Sequence, residues 1–247
     1  MSLGIVPPAW YECGRRLARA PQRRSLEGAP LYQPAMFRED RLEVQHALIR
    51  AHPLGLLVTS GPDGPEANPI PFLVDAAASP LGTLRGHLAR ANGQWRAFDP
   101  EGPVLVVFQG VDAYVTPSWY ETKRETGKVV PTWNYAIVQA RGRARAVQDQ
   151  DWLAAQVAAL TASQEAGRAE PWAVSDAPAP FVASQLRAIV GVEVAITAIE
   201  GKWKMSQNRP PADRVGVVRG LEATGDPAAR EAAALVRRYG GLAAREE

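Results

Sequence analysis

The sequence predicts a mostly β, α+β protein: an antiparallel barrel with peripheral helices. Three observations carry that prediction. The stretch 129–147, VVPTWNYAIVQARGRARAV, alternates strictly over a dozen residues. Ala136, Val138, Ala140, Gly142, Ala144 and Ala146 share one face. Ile137, Gln139, Arg141, Arg143, Arg145 and Val147 share the other. Period two over that length is a strand signature. Second, several further strand-like runs follow one another across short turns. Third, helical patterns are few and are not interleaved one per strand, which disfavours a doubly wound sheet.

In chain order, residues 39–51 read as a helix. Leu42, Gln45, His46 and Ile49 fall on one side, acids occupy the first turn, and His52-Pro53 ends it. Residues 54–60 (LGLLVTS) read as a buried strand, and Gly61-Pro62-Asp63-Gly64 as a turn into a strand over 67–74. A turn near 79–82 leads to a strand over 83–88 and a polar break at 90–94. VLVVF at 104–108 is a buried strand, and 112–116 a separate shorter one. Residues 151–165 form a helix with Trp152, Gln156, Val157 and Leu160 on one face. Ser175-Asp176-Ala177-Pro178 caps a helix that runs to Gly191. A strand follows over 192–199 and is broken by 201–209. A last helix runs from Asp226-Pro227 to Tyr239, closed by Gly240-Gly241.

The chain of 247 residues holds one cysteine, Cys13, so no disulfide framework can form within it, which fits a reducing cytoplasm. No apolar run approaches the ~20 residues of a membrane helix. Residues 1–30 carry five arginines against two glutamates, leaving the other 217 residues at −1 overall. A near-neutral body has no large non-specific attraction for nucleic acid, so DNA is a possible partner that charge does not support. The first thirty residues read as a poorly ordered leader, a transit-type peptide or an over-extended start.

Three histidines without clustered spacing exclude the common metal motifs, and the P-loop, G-x-G-x-x-G and G-x-S-x-G patterns are absent. Four segments are rich in functional side chains. Gly86–Asn92 (GHLARAN) places an imidazole, a cation and an amide after a strand. Pro117–Lys123 sets two aromatics beside a lysine. The third is the alternating stretch itself, whose arginine face either meets solvent or lines a site for an anion-bearing ligand. In Gly201–Arg209, Lys202 and Lys204 flank Trp203 ahead of Ser206-Gln207-Asn208. Together these suit a planar, phosphate-bearing ligand.

These segments, together with LYQPAMF at 31–37, His52-Pro53-Leu54-Gly55, Pro171-Trp172, Ile189-Val190-Gly191 and residues 213–221, resemble the PaiB family of FMN-binding split-barrel proteins, often called negative transcriptional regulators. The resemblance covers about 31–221, leaving 222–247 as a C-terminal helix. Family members usually begin Met-Tyr where this chain has Leu31-Tyr32, consistent with an upstream extension. Gly93 stands where the family generally has proline. The resemblance implies a six-stranded antiparallel split barrel, a homodimer with ligand sites at its interface, and FMN as cofactor. It implies that His87, Ala89, Arg90 and Asn92 meet the phosphate, with Arg90 as the main cation. Lys123, Thr132, Trp133 and Asn134 would line the flavin region, and Lys204, Ser206 and Gln207 would close it. The implied role is negative transcriptional regulation, with flavin-dependent oxidoreduction of a small molecule as the alternative.

Overall fold

The computed structural model describes residues 31–61, 64–98 and 102–242. The leader over 1–30, with Cys13, lies outside them.

The described strands are β1 (Arg38–Glu39), β2 (Leu54–Gly61), β3 (Gly64–Asp75), β4 (Thr83–Ala89), β5 (Val104–Val115), β6 (Thr132–Val147) and β7 (Ile189–Lys204). They form one sheet in the order β1-β7-β4-β3-β2-β5-β6, and β6 also pairs with β7. That second pairing closes six strands into a ring. The two-residue β1 hangs on β7, pairing Arg38 with Lys202 and Glu39 with Gly201. Every pairing is antiparallel. The expected six-stranded barrel is therefore present, with β1 as an added seventh strand.

The alternation in β6 places Ala136, Val138, Ala140 and Ala144 inside the ring, with Leu57, Leu84, Val106, Phe108, Val192 and Val194. Small residues on β6 leave room for larger ones opposite, as a narrow barrel requires. Helix α1 (Leu42–Ala51) packs against β3, β5 and β6 through its buried Leu48 and Ile49. The remaining helices are α2 (Glu121–Thr126), α3 (Gln150–Glu165), α4 (Ala179–Arg187), α5 (Pro211–Ala223) and α6 (Pro227–Tyr239). Helix α6 lays Ala229, Ala232, Ala233 and Val236 into the core beside β5 and α5.

Several boundaries differ from the sequence reading. Glu39, read as the start of the first helix, lies in β1, and α1 begins at Leu42. The two short runs over 104–116 are one strand, β5, carrying an irregularity between Gln109 and Asp112. A bulge absorbs the extra residues, so pairing with β6 resumes beyond it. Ser175 and Asp176 do not cap α4: Asp176 Oδ2 accepts from Ala173 N in a preceding turn, and α4 starts at Ala179. That helix ends at Arg187, and Gly191 lies within β7. A side chain at Gly191 would collide with the Trp152 ring of α3, so this glycine is a strand position selected for close approach. Finally, β7 continues unbroken through Lys204 because β6 pairs with it as far as Tyr135.

Helix α5 went unread in the sequence. Its Gly216 and Gly220, one turn apart, face Trp119: a Cβ at the first would strike the Trp119 carbonyl oxygen, and at the second the indole. We expect Gly220→Ala to lower stability by about 1–3 kcal/mol, as overpacking does, read from the denaturant midpoint; an unchanged midpoint would show that the indole can move aside.

Glu39, 4% exposed, ties the sheet to the C-terminal helix. It accepts from Arg41 N at 3.0 Å, Arg41 Nε at 2.8 Å and the Tyr239 hydroxyl at 2.8 Å. Burial alone would raise its pKa, but the hydrogen bonds from Arg41 and Tyr239 outweigh that and hold it below 4.5. Burial raises Tyr239 to about 12, helped by the bond to Glu39. A depressed carboxylate contributes stability above its unfolded value and loses it as pH falls through the folded one. A raised phenol loses its contribution as pH climbs from 10 to about 12. Stability curves of the wild type and Glu39→Gln should therefore stay apart near neutrality and converge below pH 4.5; a constant gap down to strongly acid pH would contradict this.

Candidate functional site

The candidate residues fall into two groups. The first follows β4. His87 Nδ1 lies 2.9 Å from Gln156 Oε1 of α3. Ala89 is exposed at the strand end opposite Ile189. Asn92 caps a short helical turn, its Oδ1 accepting from Gln94 N at 3.0 Å. Arg90 donates from Nε to Arg187 O at 2.9 Å, from Nη1 to Gln148 Oε1 at 2.7 Å and from Nη2 to Ile189 O at 3.1 Å. It thereby staples the end of α4 to the start of β7. A guanidinium has five donors, so two remain for a ligand.

The second group surrounds the start of β6 and the turn after β7. Asn134 (1% exposed) and Ser206 (3%) meet at 3.1 Å in a buried pair. Ser206 has φ 61, the one non-glycine in left-handed conformation among the described residues. Gln207 braces this turn, donating to Trp203 O and accepting from Met205 N, each at 2.6 Å. Lys204 Nζ donates to Thr132 Oγ1 and to Trp133 O. Burial lowers the Lys204 pKa first, and the charges of Lys202 and Arg209 lower it further. Trp133 stays 54% exposed, its ring edge-on to Tyr114 at 5.9 Å. Lys123 stands apart on α2, donating to Ser118 Oγ at 3.3 Å.

One chain does not bring the two groups together. His87 pairs with Gly191 at one end of β7, while Lys204 pairs with Tyr135 at the other. At ~3.3 Å per residue the strand between them has a contour of at most about 43 Å, shortened by its bulge and twist.

Lys202, Arg209, Tyr135 and Tyr120 lie in the segments singled out in the sequence but were not among the residues assigned to the flavin. Lys202 is 6% exposed, donates to Tyr32 O at 2.9 Å and lies 5.3 and 5.2 Å from the Tyr32 and Tyr135 ring centres. Arg209 stacks 4.5 Å over Tyr120. The signal for Lys202 was available: on a strand it shares a face with Lys204, while Trp203 turns inward to 4% exposure.

Two arginines of the stripe meet carboxylates of β7. Arg141 pairs with Glu200, and Arg145 with Glu193 at 2.9 Å. Arg85 joins the second pair and also meets Asp75 at 2.9 Å. Arg143 and Arg145 also flank a cavity of about 720 Å³ with Trp95, Arg96 and Phe98. A smaller hollow of about 290 Å³ is lined by Gln109, Asp112, Trp133, Tyr135 and Ile137. Beside it β2 and the adjoining part of β5 carry an apolar outer patch: Leu54 and Leu56 are 63% and 40% exposed, and Leu56 pairs with Val107. No described helix is long and apolar enough to cross a membrane.

Residues 31–198 match the family described as "Putative FMN-binding domain". A protein of Emericella nidulans is 37% identical, covering 86% of this chain and 98% of its own length. The Protease synthase and sporulation protein PAI 2 of Bacillus subtilis is 30% identical, covering 83% and 96%. Among solved structures, the FAD and heme binding protein from Mycobacterium smegmatis superposes with a TM-score of 0.50 at 19% identity, over 68% of this chain and 73% of that one. That likeness concerns the fold.

Removing one member of the buried Asn134–Ser206 pair leaves the other unsatisfied, which costs about 1–3 kcal/mol. Asn134→Ala should show that loss in chemical denaturation; a change within the noise of the measurement would mean that water replaces the amide.

Proposed function

The chain belongs to the PaiB family of FMN-binding split-barrel proteins, and on that premise we propose that it binds FMN at a site shared between two copies of itself. The observation that carries the shared site is the separation of the two candidate groups at opposite ends of β7. A flavin phosphate at Arg90, Asn92 and the β4 end of one copy would meet ring contacts from Trp133, Asn134 and Lys204 of the other. The apolar outer face at Leu54, Leu56 and Val107 supplies the kind of surface that a second copy covers.

The residues fit the cofactor. Arg90 keeps two donors for a phosphate, and the exposed Trp133 offers a flat apolar wall. Lys204 places a part-buried cation, and Ser206 and Gln207 hold its strand end in place. FMN, when bound, supplies hydride or single-electron transfer, and the protein's part is to orient it and tune its electrostatics. No protein nucleophile is needed for that chemistry.

We favour flavin-dependent oxidoreduction of a small molecule over DNA contact by this chain, because Arg141 and Arg145 of the stripe are paired with Glu200 and Glu193. Negative transcriptional regulation is the second reading, supported by the likeness to the PAI 2 protein. A cytoplasmic location accords with both.

The purified protein should take up FMN with a flavin visible spectrum and sediment as a dimer. Leu56→Asp should yield a folded monomer with FMN affinity reduced roughly tenfold or more; a monomer that keeps full affinity would reject the shared site. Steady NADH or NADPH oxidation without promoter binding would favour the oxidoreductase, and promoter binding without turnover the regulator.

A further inference from the structure

Three cations converge on the turn that ends β7, and none is matched by an anion. Lys202 donates only to a backbone carbonyl, between two tyrosine rings. Lys204 donates to a hydroxyl and a carbonyl and lies 5.9 Å from the Tyr135 ring centre. Arg209 covers Tyr120. Among the described residues no ion pair involves any of the three.

The neighbouring acids are otherwise engaged. Asp213, fully buried, accepts from Thr122 N and Thr122 Oγ1 at 2.9 Å each. Asp112 accepts from Gln109 Nε2 at 2.9 Å. Glu200 serves Arg141 and the Leu31 amide. Elsewhere on the barrel, Arg85, Arg141 and Arg145 each sit on a carboxylate. The basic turn thus differs from Arg85, Arg141 and Arg145 of the same sheet, each of which is paired.

Holding part-buried like charges together costs stability unless an anion offsets them. The Lys204 pKa records that cost, lowered first by burial and then by Lys202 and Arg209. Two further features converge here. Ser206 adopts a left-handed backbone that serine rarely takes, held by Asn134. The buried Tyr120 side chain lies beneath Arg209, whose guanidinium sits 4.5 Å over its ring and beside its hydroxyl.

We propose that the basic turn of Lys202, Lys204 and Arg209 binds a small phosphate- or carboxylate-bearing molecule distinct from the FMN phosphate. The inference rests on the flavin reading only for the cofactor beside it, and it defines the substrate or effector class as anionic. The cations supply charge, the Tyr135 face and the Thr132 hydroxyl flank them, and the Ser206 turn fixes their spacing.

The test uses the full chain, inorganic pyrophosphate as probe, and sodium chloride at matched ionic strength as control. Thermal melting of FMN-loaded protein should show a saturable rise in Tm with pyrophosphate beyond the chloride control. Lys202→Met and Arg209→Gln should each weaken the apparent pyrophosphate affinity roughly tenfold while FMN still binds, as flavin fluorescence reports. Absence of a saturable rise overturns the proposal. A rise seen without FMN but abolished by loading also overturns it, because the turn would then hold the flavin phosphate. A saturable, variant-sensitive rise in a protein that takes up no FMN would uphold the anion site while rejecting the flavin reading.

Discussion

The antiparallel ladder between β6 and β7 is the constraint on which the rest of the molecule depends. It runs from Tyr135–Lys204 to Val147–Gly191 and turns an open sheet into a ring. Its register is not uniform. Arg141 faces Ala198 but Gly142 faces Ile196, so one residue of β7, Thr197, is left over. A single inserted residue reverses which side chains face outward from there on. Before the bulge, Glu193 and Ala195 face out; after it, Glu200, Lys202 and Lys204 do. Without it Trp203 would face solvent and the lysines the core. Closure of the barrel, pairing of the arginine stripe and assembly of the basic turn therefore share one local cause.

The same register explains the charge on β6. Arg145 lies opposite Glu193 and Arg141 beside Glu200, giving cross-strand pairs on a partly covered face. Such pairs are individually worth little where exposed. Arg145 is 63% exposed, so its pair adds little stability; Arg141, at 16%, is better sheltered. Their larger consequence is negative: at Arg141 and Arg145 the stripe is paired within the sheet and not open to a polyanion.

Much of this was legible in the chain, and the reasons are specific. Strand β6 was readable because period two survives wherever one face is buried, and Ala136, Val138 and Ala140 are buried. Helix α6 was readable because Asp226 accepts from Ala228 N and Pro227 follows it, a helix start written in adjacent residues. Helix α5 was not, because Gly216 and Gly220 read as breakers until Trp119, about a hundred residues earlier, is seen lying on them. The Arg90 staple was likewise invisible: its acceptors are carbonyls at Arg187 and Ile189, and carbonyls carry no sequence signal. The grouping of the candidate residues was lost for a related reason. Spacing along the chain says which residues share a strand end, but not that the β4 end and the Lys204 end are held apart by the length of β7.

That separation bears on how such a site can work. Residues that must act on one ligand are normally held by adjacent strand ends, where packing fixes them within a few tenths of an ångström. Here the stapled Arg90 and the braced Lys204 are each rigid locally, and β7 holds them at opposite ends within one chain. In the proposed assembly of two copies, the distance from Arg90 of one to Lys204 of the other would be set by the contact around Leu54, Leu56 and Val107. Ligand affinity then depends on the interface as much as on the contacting side chains. The unpaired cations follow the same logic. A protein that neutralises Arg85, Arg141 and Arg145 internally, yet holds Lys202, Lys204 and Arg209 together unneutralised, carries a cost that an incoming anion removes. Occupancy of the basic turn would relieve repulsion in the very strand end that carries Lys204, and so couple anion binding to the order of the flavin-facing residues.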